Sequence, residues 1–166
     1  MTVHELYQKL DPALVQEMFL YFREEERDLY KTSIASLAQN RKLRPVFIQK
    51  KSVPDQIAWL HKTLQLRNQD VVGEHLLQVW FMKGQQPLLI DFCDGMGIAH
   101  NGEGSVEEDL PETLDDAKLK ATIETLLGKY NPKLVSLYLH VFNKQTLSGW
   151  ENLAQLIEED DRIALS

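Results

Sequence analysis

The sequence predicts an all-α fold, a compact multi-helix domain of about eight to ten helices with one long acidic loop. Three observations lead there. Helix-start signals recur roughly every dozen to twenty residues, apolar side chains between them repeat at spacings of three and four, and turn-separated strand pairs are nearly absent. A chain of 166 residues suits a single domain over 1–166, large enough to bury about 70% of the surface its unfolded form exposes without help from a disulfide or a metal. The 43% hydrophobic and 26% charged shares, with only 8 Gly and 6 Pro, exclude a disordered or low-complexity chain.

In chain order, Thr2 with Glu5 reads as a capping box that opens the first helix. Asp11-Pro12 supplies a cap and then a residue whose φ already suits the first turn, and Leu14, Met18, Tyr21 and Phe22 follow on one face. Pro45, Pro54 and Pro87 sit where short helices begin, and Ile57, Leu60 and Leu64 share the face of the second of these. Asn68 precedes a helical pattern from Gln69 to Lys83, in which His75 lies between Val72 and Val79 and is expected in the core. Trp80-Phe81-Met82 covers too wide an arc for one core, so its helix is either central or presents an aromatic edge to a partner. The other aromatics, Phe47 among them, read as core.

Gly97 after Met96 marks the end of a helix from Pro87, and Leu119, Ile123, Leu126 and Leu127 define another beyond the loop. Asn131-Pro132 caps a helix whose polar side, Lys133, Ser136, His140, Asn143 and Lys144, leaves the rest buried. Ser148 with Glu151 reads as a second capping box, ahead of Leu153, Leu156 and Ile157. The alternative is an α+β fold, since the apolar run at 88–92 and the period-two pattern at 135–141 also suit short strands.

Charge is partitioned. The net −7 and the pI near 5.2 reflect one segment, Ala99 to Asp116, which holds seven acids and no Lys or Arg. Leu29 to Pro54 carries six cations and no acid. Such a pI makes nucleic acid an improbable main partner, because its binders show a broad basic field. The glycines and like charges of Ala99 to Pro111 predict a mobile surface crossover.

Oxygen and nitrogen ligands gather at Asp91, Asp94, His100 and Glu103, where a helix end meets glycines, and a hard cation or small ligand is one reading of them. Their spacing matches no calcium loop, and the plainer reading is a glycine-capped helix end with solvated aspartates. No phosphate-binding glycine motif or Gly-x-Ser-x-Gly elbow is present, no two histidines stand three or four apart, and Cys93 is the only cysteine. No cofactor is implied, no catalytic set is resolved, and Cys93 is expected packed rather than reactive. No apolar run reaches the roughly 18 residues of a spanning helix and the first residues show no leader character, so the expected location is cytoplasmic, without membrane contact. The function expected from these features is a protein-interaction or assembly module, with Arg41, Lys42, Arg44, Lys50 and Lys51 as the partner-binding candidates.

Overall fold

The structure, a computed structural model, describes residues 1–165. Ten α-helices account for most of these residues, and among them no strand forms beyond an isolated bridge between His100 and Val106. The all-α expectation therefore holds, and both segments that suited strands lie in helices. Among the described residues no helix is long and apolar enough to cross a membrane. Internal contacts group the chain into two compact units, Met1–Trp80 and Phe81–Ser166.

The first unit contains α1 (Val3–Lys9), α2 (Pro12–Glu25), α3 (Arg27–Asn40), α4 (Pro45–Gln49), α5 (Val53–Leu64), a 3-10 turn at Arg67–Gln69 and α6 (Asp70–Val79). Thr2 and Glu5 form the expected reciprocal cap: the Glu5 N–H donates to the Thr2 hydroxyl, and the Thr2 N–H donates to the Glu5 carboxylate at 2.6 Å. α1 packs on α5 and α6, α2 packs on α3 and α5, and the short α4 closes against α3 and α5. Leu6, Met18, Phe19, Phe22, Leu37 and Leu60 lie fully buried between these helices. Polar ties fix the register of α1. The Tyr7 hydroxyl donates to the Gly73 carbonyl at 2.8 Å, and the His4 ring meets Asp70 at 2.9 Å.

His75 corrects the sequence reading, because it is exposed. The buried face of α6 runs through Gly73, Leu76 and Leu77, while the valines that suggested an inward histidine are only half-buried flanks. Beyond α6, Trp80–Gly84 forms a π-helical turn. Trp80 and Phe81 are both buried there, and Met82 is 51% exposed.

The second unit contains α7 (Gln86–Met96), α8 (Asp116–Lys129), α9 (Pro132–Asn143) and α10 (Glu151–Glu159). α8 packs on α7 and α9, and α10 packs on α9. Its core is aromatic. Phe92 meets Tyr138 and Phe142 edge-on at 5.2 and 4.7 Å, and Phe142 stacks on Trp150 at 4.7 Å with the rings 7° from parallel. α9 is buried along most of its length, as expected, but one residue on its polar side is not solvated. Ser136 is buried, and its hydroxyl donates to the carbonyl of Ile163, in the turn that follows α10.

The expected Ser148–Glu151 box does not form. α10 starts at Glu151 with Trp150 in the cap position, and the Trp150 N–H donates instead to the Asn143 side chain at 2.8 Å. Burial of the Trp150 ring against Phe142 sets that start, overriding the local capping signal.

Candidate functional site

The four ligand candidates of the second unit begin on α7 and run into the loop beyond it. Gly97 adopts φ +69°, a left-handed conformation glycine takes without penalty, and the Ile98 N–H returns to the Cys93 carbonyl at 2.8 Å. That cap turns the chain so that His100 folds back onto Asp94. The His100 Nδ1 accepts the N–H groups of Gly102 and Gly104 at 3.1 and 3.3 Å, which assigns the ring proton to Nε2, donated to Asp94 at 2.8 Å. Both ring nitrogens are thereby engaged in shaping the loop.

Asp91 and Glu103 do not join this pair. Asp91 accepts from the Lys129 ammonium at 2.7 Å and the Tyr130 hydroxyl at 2.6 Å, tying α7 to the end of α8. Lys129 foremost, then Tyr130, hold the Asp91 carboxyl below the usual carboxylate range, while burial and Asp91 push the Tyr130 hydroxyl up to about 12. Glu103 is exposed, and its N–H donates to the Asn101 side chain at 2.9 Å. Among the described residues no group of three or more His, Cys, Asp or Glu side chains is placed to hold a metal ion. Cys93 is buried, and burial pushes its thiol up to about 11, so it packs rather than reacts.

The loop itself is docked at two points. Gly104 is buried with φ +87°, and a Cβ there would stand 2.4 Å from the Leu89 Cβ, so the backbone lies directly on α7. At its far end, the Trp150 indole donates to the Pro111 carbonyl at 3.0 Å and Leu114 is buried. Glu107, Glu108, Asp109 and Glu112 between these points are exposed.

The partner-binding candidates of the first unit follow two helices that pack on each other, α3 and α4. Arg41, Lys42 and Arg44 follow α3, Lys50 and Lys51 follow α4, and all five are exposed. None takes part in an ion pair among the described residues. Lys42 adopts φ 57°, at the position where helices usually end on glycine. Its N–H reaches the Gln39 carbonyl at 2.9 Å and the Leu43 N–H reaches the Ala38 carbonyl at 2.8 Å, so a lysine occupies a glycine's turn.

Phe47, expected in the core, is 61% exposed, and the preceding Leu43 and Val46 are 41% exposed each. With only five residues, α4 turns a single side chain, Ile48, inward. The signal was present in the run Val46-Phe47-Ile48, whose three consecutive apolar residues cannot all face one core. The corner made by the end of α3 and by α4 thus carries exposed cations and exposed apolar side chains together. No protein-family model, curated protein or solved structure matches this chain.

Proposed function

We propose that the protein is an interaction module that docks a partner on the corner formed by the end of α3 and by α4. The observation that carries this reading is the exposure of Phe47, together with Leu43 and Val46, on a stretch bearing five exposed cations that take part in no ion pair among the described residues. An aromatic anchor surrounded by charge is the arrangement in which a few residues supply most of the binding energy while charges set encounter rate and specificity. The fitting partner is an acidic protein segment bearing one or two apolar side chains, because that chemistry meets both the exposed cations and the exposed apolar side chains. Lys42 supports the same reading: a non-glycine residue held in a left-handed turn keeps a cation where glycine would relieve the backbone.

Charge reversal of Arg41, Lys42 and Arg44 to Glu, and separately Phe47→Ala, tests it by quantitative capture of bound proteins from a native lysate at low salt. The same bound acidic protein is expected to be lost from both variants, with thermal stability within about 2 °C of wild type, as exposed substitutions of small effect imply. Equal capture by wild type and both variants contradicts the reading.

A further inference from the structure

A second feature of the first unit lies along α3 residues 27–34 and shares only Gln49 of α4 with the corner. A cleft of about 690 Å³ opens where the end of α2 meets α3, with Arg23, Arg27 and Lys31 around it and Glu24 as the only acid of its lining. Arg27 and Lys31 stand one helical turn apart on α3, and Arg23 stands one turn before the α2–α3 joint. These three cations take part in no ion pair among the described residues. α3 begins at Arg27 with Glu26 in the cap position and Asp28 in its first turn, so the positive character of the cleft comes from the three cations themselves.

The cleft floor is built rather than incidental. The Tyr30 hydroxyl donates to the Gln56 side chain at 2.6 Å, and the Gln56 amide donates to the carbonyls of Gln49 and Lys51 at 3.1 and 3.0 Å. Tyr30, Gln56 and Ile34 are all buried. Every polar group of that chain has a partner, and the edges of the tyrosine ring and Ile34 line the cleft beneath the cations. Cations at the rim and an aromatic-aliphatic wall beneath suit one kind of guest.

We propose that this cleft binds a small organic anion, one that carries a phosphate or paired carboxylates for the three cations and a planar or short apolar body for the wall. The volume falls within the range of about 300–1,000 Å³ typical of small-molecule sites and far exceeds a bare oxyanion. Guanidinium groups recognise such oxyanions through paired, charge-assisted hydrogen bonds, which is why Arg23 and Arg27 rather than Lys31 dominate the recognition.

Isothermal titration of the full chain with phenyl phosphate, phthalate and inorganic phosphate tests this. Phenyl phosphate or phthalate is expected to bind saturably and at least tenfold more tightly than inorganic phosphate, and which of the two wins identifies the oxyanion. Arg23→Gln and Arg27→Gln are expected to weaken that binding at least tenfold, Lys31→Arg is expected to retain it, and Arg67→Gln, an equal charge loss at another exposed site, is expected to change it less than twofold. Circular dichroism confirms that each variant is folded. Absence of saturable binding by all three probes, or equal weakening by Arg67→Gln and Arg27→Gln, overturns the proposal.

Discussion

Lys42 and Asp91 show how single residues were set by needs that pattern alone does not reveal. A left-handed conformation costs a non-glycine residue about 1 kcal/mol, so Lys42→Gly is expected to stabilise the protein by about that amount in chemical denaturation. The same change removes a cation from the corner and is expected to weaken partner binding. A lysine retained for packing alone would leave binding unchanged. Asp91 carries a pH dependence. Its carboxyl is held below its unfolded-state value, so its contribution to stability is present above the ordinary carboxylate pKa of about 4 and lost as pH falls through the lowered folded value. Asp91→Asn is expected to flatten the acid limb of a stability-versus-pH curve without abolishing it. Arg162 holds Glu124 and Asp160 low in the same way, so part of the acid limb persists. An unchanged acid limb in Asp91→Asn would show that the Lys129 and Tyr130 contacts are too weak in solution to matter.

At the scale of elements, what could be read in advance was whatever depends on near neighbours in sequence. The Thr2–Glu5 box, the Asn131-Pro132 start and the glycine stop after α7 all satisfy backbone groups within one turn, and each was legible. His75, Phe47 and the start of α10 were not, because each is decided by which face a neighbouring helix covers. The closing turn after α10 belongs to this second kind. Ile163 is fully buried and its carbonyl takes the Ser136 hydroxyl, while Arg162 binds Glu124 and Asp160 through paired contacts between 2.6 and 3.0 Å. Ile163→Ala is expected to destabilise the protein by about 2–5 kcal/mol in urea unfolding, the usual range for emptying such a site. A loss below about 1 kcal/mol would mean that the turn is not packed in solution. The loop after α7 divides in the same physical terms. A protease specific for glutamate is expected to cut first between Glu107 and Glu112, where side chains are exposed, and to spare Glu103 beside the docked Gly104. His100→Ala removes the acceptor of the Gly102 and Gly104 amides and is expected to speed their hydrogen exchange and expose Glu103 to cleavage. First cleavage at Glu103 in the unmodified protein would contradict the docked geometry.

For the whole molecule, the candidate sites divided along the same line as the elements. Composition located the two charged stretches correctly, since charge counts need no geometry. It did not show that Asp91 turns to Lys129 and Tyr130 while His100 spends both ring nitrogens on the loop, nor that an apolar cluster sits exposed among the cations. An interaction steered by such a charged corner is expected to lose association rate with salt, because exposed charges are screened beyond about 10 Å at 0.1 M. The most direct measurement places a photo-activated cross-linker at the anchor itself, as Phe47→p-benzoyl-phenylalanine, with the still more exposed position Val71 as the control. The account predicts a specific adduct from position 47 to a segment rich in Asp and Glu with apolar side chains between them, lost when Arg41, Lys42 and Arg44 are reversed to Glu. An adduct no stronger than that from position 71, or one indifferent to the charge reversal, would contradict it.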